Sequence, residues 1–256
     1  MSDPHSIYAY WRAMAGMAFS RGGSGPTVLE LGANDGADAV RLAKRSRAPI
    51  HWIGLEPDPR NFPRLRSLIA EYRHLFASTA AYQLAASNVS GVADLYLSGG
   101  ETPGCGGRVH TESSSLNAPT KHLEAHPWCT FDEIAKVRTV RVDDLLAWVR
   151  ALGAAVRGRF GTAARVDGVG SGVANEVDLM WVDVQGAQRK VLEGAKSTLG
   201  TTRFLYIECH GEPLYEDEPT PEELVRMLPG WEVIARWPED LLLLNTTFEL
   251  GRTSVA

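Results

Sequence analysis

Two apolar runs in the C-terminal half of the chain each end on ionisable residues. VDLMWVDV, beginning at Val177, carries Asp183, and FLYIEC, beginning at Phe204, delivers Glu208 and then His210. Carboxylates and an imidazole gathered at one rim can move protons, and two carboxylates can hold a divalent cation. Capping of the following helix is the plainer role for any one of them. A second set stands earlier. VLELGANDG runs from Val28 to Gly36 and IHWIGLE from Ile50 to Glu56, so Glu30 and Glu56 close two more apolar runs.

Such residues meet only if the runs before them are neighbouring parallel strands whose carboxyl ends share a crevice. The pattern supports this. VLEL is a buried strand, Gly32 to Gly36 a turn, and ADAVRLAKR a helix start. Glycines let a ligand approach the backbone of Gly32, Ala33, Asn34, Asp35 and Gly36, and the helix N-terminus offers free N–H donors. A dinucleotide fingerprint requires G-x-G-x-x-G, whereas here the glycines stand four apart. Glu56 lies 26 residues beyond Glu30, close to the offset at which nucleotide folds place a carboxylate on a ribose diol. A solvated turn acid in EPDPRN is the alternative.

The next elements are a helix over Asn61–Tyr72, a third strand over Tyr82–Ser87 and an alternating strand over Gly91–Leu97. Ala86 and Ser87 stand where an adenine ring would slide between loops, or at a plain strand exit. Val137–Val142 reads as a strand, and Asp143 as the cap of the helix DDLLAWVRAL. QGAQRKVLEGAKSTL after Asp183 is helical. WEVIARWPEDLLLLN reads as two strands joined at Pro238-Glu239-Asp240, a terminal antiparallel hairpin.

Other segments are less regular. Residues 1–25 begin with a helical pattern, IYAYWRAMAGMAF, which packs on the sheet edge or covers the mouth of the site. Residues 98–132 form a long loop rich in Gly, Ser, Thr, Pro and His, an excursion or a lid. Its most ordered part is Ser113-Ser114-Ser115-Leu116, and its His110, His122 and His126 could serve as bases or ligands, although loop histidines are more often solvated. Residues 151–176 read as an insertion. HGEPLYEDEPTPEEL carries six acids between Glu212 and Glu223 and reads as a solvated lead-in to the helix opened by Pro221; a loop that favours a cationic substrate or a divalent ion is the alternative.

The chain of 256 residues can bury a full core as one α/β domain. Hydrophobic content of 44% and charged content of 22% are those of a soluble globular protein. A net charge of -5 disfavours nucleic acid. Cys105, Cys129 and Cys209 show no C-x-x-C spacing, which suits a reducing cytoplasm. Neither a leader pattern nor 18 consecutive apolar residues is present, so no membrane is expected.

VLELGANDG has the E-x-G-x-x-x-G form and resembles the first motif of a class I S-adenosylmethionine methyltransferase. Together with GLEPDPRNF, AASNVSGVADLYL, SSSL, WVDVQGAQRKVLEGA and YIECH, in that order, it resembles the FkbM-type methyltransferases from about Val28 to Asn245. Gln188 departs from the family pattern, which has Glu at that position, while Gln185 is tolerated. The resemblance implies a Rossmann-like α/β fold with a mostly parallel seven-stranded sheet, a C-terminal antiparallel hairpin and helices on both faces. The domains expected are an N-terminal helical cap (1–25) and a catalytic domain (26–256), with lid-like insertions at about 98–132 and 151–176.

It also implies S-adenosylmethionine as cofactor and O-methylation of a hydroxyl on a sugar or other small natural product. Glu30, Gly32, Ala33, Asn34, Asp35, Gly36, Glu56, Pro57, Ala86, Ser87, Ser115 and Asp183 are the cofactor-binding candidates, with Glu30 orienting the turn and Glu56 on the ribose. His210 is the candidate general base, with Asp183 and Glu208 orienting it. In the alternative, Asp183 and Glu208 bind Mg²⁺. The partner expected is a small-molecule acceptor in the cytoplasm, and a homodimer is open. The rival readings are a nucleotide-dependent oxidoreductase, a silent cofactor-binding module, and a methyltransferase with a protein or carrier-bound acceptor.

Overall fold

The computed structural model describes residues 7–18, 25–103, 106–160 and 176–248. A seven-stranded sheet in the order β3-β2-β1-β7-β8-β10-β9 organises them. Strands β1 (Thr27–Leu31), β2 (Ile50–Leu55), β3 (Phe76–Tyr82), β7 (Val177–Val182) and β8 (Thr202–Glu208) run parallel. β9 (Trp231–Arg236) and β10 (Asp240–Asn245) form the terminal hairpin, and β10 pairs antiparallel with β8. A smaller sheet holds β4 (Ala85–Ser87), β5 (Gly91–Gly100) and β6 (Cys129–Arg141) in the order β4-β6-β5. The fold is the Rossmann-like one expected.

β1, β2 and β7 are apolar along their lengths because both faces are covered. On one face lie α1 (Ile7–Ala18), α2 (Ala37–Arg45) and α3 (Phe62–Glu71), whose Ile7, Trp11, Leu42 and Leu65 pack with Val28, Trp52 and Trp181. On the other lie α5 (Val142–Phe160), α6 (Gln188–Gly194) and α8 (Pro221–Met227), which bury Leu146, Val191 and Leu224 with Leu29, Ile53 and Ile207. α4 (His122–Ala125) and α7 (Lys196–Gly200) are single short turns. α1 therefore lies on a sheet face, with the Trp11 indole donating to Ser46 Oγ at 2.8 Å.

Several local expectations are corrected. Tyr82–Ser87 is not one strand: β3 ends at Tyr82, and Ala85–Ser87 joins the second sheet. β3 itself, FASTAAY, is built of small residues without clear alternation, so periodicity did not reveal it. β5 and β6 are longer than expected and pair antiparallel from Gly91↔Thr139 to Gly100↔Cys129, which narrows the irregular segment to 101–128. α5 continues through residue 160, and 161–175 lie outside the described residues, as do residues 1–6, 19–24 and Cys105.

Asp143 does not cap its own helix. Its carboxylate accepts from the Ser197 and Thr198 backbone N–H groups at 3.0 and 2.8 Å, tying the start of α7 to α5. Among the described residues no helix is long and apolar enough to cross a membrane.

Candidate active site

The order of the parallel strands reverses between β1 and β7, and at such a point the chain leaves adjacent strands in opposite directions and opens a crevice. A cavity of about 400 Å³ lies there. Of the candidates named from the sequence, Gly32, Asn34, Glu56, Pro57, Ala86, Asp183, Glu208 and His210 line it.

Six other candidates lie behind the wall or beside it. Glu30 is buried beneath the turn, where its Oε2 accepts the Trp52 indole N–H at 2.6 Å. Gly54, the strand neighbour of Glu30, leaves the space that this indole fills. Ala33 packs in the core beside α2. Asp35 accepts from the Ala37 N–H at 3.0 Å, and Gly36 is the left-handed residue before α2. Ser87 is buried with its carbonyl close against Gly194. Ser115 donates its hydroxyl to the Gln185 carbonyl. These residues shape the site, and none of the six reaches the cavity in this structure.

Glu56 accepts from the backbone N–H groups of Asn34 (2.8 Å) and Asp58 (2.7 Å), so it clamps the glycine turn after β1 to the turn after β2. Burial pushes its pKa up to about 8; the two N–H bonds act against this, and Asp58 and Asp183 add to it. Asn34 holds a positive φ of 45°, and its Oδ1 is buried without a partner. A residue held in that backbone region at a cavity wall is a mark of a binding site.

Burial raises Asp183 above the ordinary carboxylate range, and burial together with the Asp183 charge raises Glu208 further. The Gln185 amide sits between them, donating to Asp183 Oδ1 at 2.8 Å and to Glu208 Oε1 and Oε2 at 3.0 and 2.9 Å. The Tyr215 hydroxyl shares its one proton between the Ser113 carbonyl at 2.9 Å and the Gln185 amide oxygen at 3.1 Å. An N–H donor thus fills the position that a cation shared by Asp183 and Glu208 would take. The pair does not fit a divalent ion, and among the described residues no group of three or more His, Cys, Asp and Glu is placed to hold one. Gln188, where the family pattern has Glu, is fully buried and donates to the Glu208 carbonyl at 3.1 Å. Its amide supports Glu208 with a donor that an ionised carboxylate lacks.

The residue that orients His210 is neither Asp183 nor Glu208. His210 Nδ1 lies 2.6 Å from Glu218 Oε1, and Glu218 Oε2 accepts from the backbone N–H groups of Leu214 (2.7 Å) and Tyr215 (3.1 Å). Burial works to lower the imidazole pKa, but the hydrogen bond and charge of Glu218 outweigh it and leave the value raised. Glu218 lies in the acidic loop expected to be solvated, yet its side chain is fully buried. Its loop-mates Glu212 and Glu222 remain exposed, each paired with a base.

The irregular segment closes the site. Ser114 Oγ donates to Asp58 Oδ2 at 2.8 Å, Asn61 and Thr111 exchange two bonds of 2.8 Å, and Asn117 donates to the Gly186 carbonyl at 2.8 Å. His110, His122 and His126 all line the cavity, and the first two are buried, contrary to the expectation that they are solvated.

Comparison with known proteins agrees with this geometry. Residues 162–234 match the model of the methyltransferase FkbM domain. The chain is 31% identical over 226 residues to the 2-O-methyltransferase NoeI of Sinorhizobium fredii, covering 86% of this chain and 80% of that protein. The chain belongs to the FkbM methyltransferase family. Within that family the fold is likewise shared: the crystal structure of an FkbM methyltransferase from Methylobacillus flagellatus superposes with a TM-score of 0.51 at 13% identity, over 89% of this chain. The chain spans less than half of that protein, 45% of its length.

Because the buried carboxyl groups of Glu30, Glu56, Asp183 and Glu208 have raised pKa values, the sign of their effect on stability follows. A carboxyl whose folded pKa exceeds its unfolded value stabilises most below the unfolded value and loses that contribution as pH rises through the folded one. For Glu56 the window runs from the ordinary value of 4.5 to about 8. The ligand-free enzyme should therefore lose thermal stability as pH rises through this window, and Glu56→Gln should reduce the slope. Tm measured against pH for both proteins checks this; equal slopes would count against it.

Proposed function

We propose that this FkbM-family chain transfers the methyl group of S-adenosylmethionine to a hydroxyl of a small-molecule acceptor, with His210 as general base. The observation that carries this reading is the His210–Glu218 pair on the rim of an acid-lined crevice. Six carboxylates line the cavity (Asp38, Glu56, Glu112, Asp183, Glu208 and Glu239), and among the described lining residues there is no Lys or Arg. S-adenosylmethionine carries an ammonium and a sulfonium against one carboxylate, a net positive charge, so the acidic lining fits it. When bound it supplies an electrophilic methyl on sulfur.

The chain's own residues do the rest. The turn from Gly32 to Asn34 presents backbone to the cofactor, and the unpartnered Asn34 Oδ1 offers an acceptor. Each Glu56 oxygen keeps a lone pair beyond its backbone bond for the ribose hydroxyls. With Nδ1 held by Glu218, His210 has Nε2 left for the acceptor hydroxyl, and takes its proton as the new C–O bond forms and the C–S bond breaks. Holding acceptor and methyl in line is the larger share of the rate. The similarity to a 2-O-methyltransferase supports oxygen as the nucleophile.

Two assays test this. His210→Ala should lower methyl transfer from S-adenosylmethionine by roughly two to four orders of magnitude, with S-adenosylhomocysteine affinity unchanged by calorimetry. Exhaustive chelation should leave turnover as it was. Full activity of His210→Ala across pH would sink the base assignment, and loss of turnover on chelation would return a metal to the mechanism.

A further inference from the structure

The mechanism leaves the lid histidines unused. His122 is 3% exposed and lines the cavity, yet its Nδ1 has no hydrogen-bond partner. A buried polar atom left unpaired at a cavity wall costs stability unless a ligand completes it. The ring is held firmly: Phe131 meets it edge-on at 5.2 Å, Tyr215 lies at 5.3 Å and His126 at 4.8 Å. Its backbone N–H donates to the Leu214 carbonyl at 3.0 Å, on the loop whose N–H groups hold Glu218. The lid imidazole and the His210 pair are thus tied to one loop.

His110 differs from the other two. Both of its nitrogens are engaged, Nε2 with Ser113 Oγ at 2.7 Å and Nδ1 with Thr102 Oγ1 at 3.1 Å, so it braces the wall and does not reach for a ligand. Burial lowers the pKa of His122 to about 4 and lowers that of His110 as well, so these two rings are uncharged at neutral pH. Neutral imidazoles both donate and accept, as hydroxyl groups do. With six acidic side chains around the cavity and no lining Lys or Arg among the described residues, a phosphate or carboxylate on the acceptor would find no lysine or arginine to pair with.

We propose that His122 and His126 form the acceptor's subsite, braced by His110, and that it selects an uncharged, hydroxyl-bearing acceptor over a phosphorylated or carboxylated one. This rests on the reading of the crevice as a methyl-transfer site. The test is saturation-transfer NMR on the full chain loaded with S-adenosylhomocysteine, using methyl glycosides of several hexoses and the corresponding hexose 6-phosphates as probes. At least one glycoside should bind and the phosphates should not. His122→Leu should weaken glycoside binding about tenfold, the size of one buried hydrogen bond, and His122→Gln should restore part of it. S-adenosylhomocysteine affinity should be unchanged in both variants. If His122→Leu loses that affinity, His126→Leu takes its place.

Binding of no glycoside, binding of the phosphates as tightly, or indifference to the lid substitutions would each overturn the subsite while leaving the methyl-transfer reading intact. Failure of wild-type protein to bind S-adenosylhomocysteine would instead overturn that reading, and the subsite with it.

Discussion

Glu218→Gln should lower kcat by roughly ten- to a hundredfold and move the acid limb of the pH profile to lower pH. Both effects follow from one contact. His210 acts as a base only when neutral, so activity is lost as pH falls through its pKa. Glu218 raises that pKa, and the amide of Gln removes the charge that does so. The imidazole then stays neutral to lower pH, which extends activity downward. The rate at the plateau still falls, because the carboxylate also fixes which ring nitrogen carries the proton and stabilises the imidazolium formed during transfer; in the well-studied serine protease triad the equivalent loss is larger. The affinity for S-adenosylhomocysteine should not change, since Glu218 is not among the cavity-lining residues. A kcat/KM profile with the same acid limb in both proteins would count against the pairing, as would an unchanged plateau.

Why Glu218 was hidden in the sequence while Asp183 was legible is a question of what sets burial. Glu30, Glu56, Asp183 and Glu208 each end a run of apolar residues, and such a run is a strand whose terminus has only one place to go. Glu218 is one of six acids in a polar stretch. What buries it is the curl of the loop, which turns the Leu214 and Tyr215 N–H groups onto one carboxylate oxygen. No periodicity reports that.

The lid shows the same division. SSSL was recognisable as a motif, but Ser115 serves as a latch on the Gln185 carbonyl, and Ser114 fastens the segment to Asp58. Long-range hydrogen bonds of this kind leave no local pattern. His122 followed the same rule: solvated by composition, buried by packing against Phe131 and Tyr215.

Gly32→Ala should abolish cofactor binding, whereas Gly36→Ala should not, although both glycines have positive φ. The two positions have φ of 89° and 85°, so an alanine at either carries the same left-handed penalty, about 1–2 kcal/mol. What differs is the neighbour. A Cβ on Gly32 would stand 1.6 Å from the Asp183 carbonyl oxygen and 2.8 Å from its carbon, both backbone atoms. The Asp183 N–H donates to the Leu31 carbonyl at 2.9 Å, and the Gly32 N–H to the Leu55 carbonyl at 2.9 Å. Relief therefore requires β1 and β7 to part at the crevice itself, with Asp183 displaced from Gln185. A Cβ on Gly36 would meet side chains alone, Leu65 at 2.7 Å and Ile69 at an ordinary contact of 3.5 Å, and a leucine can change rotamer. For Gly32→Ala we expect S-adenosylhomocysteine affinity to fall on the order of a hundredfold or more, with a lowered Tm. For Gly36→Ala we expect a modest fall in Tm and affinity close to wild type. Calorimetric titration and thermal denaturation of the two variants separate these outcomes. Equal binding by both would mean that the close approach of β1 and β7 is not what shapes the cofactor's seat.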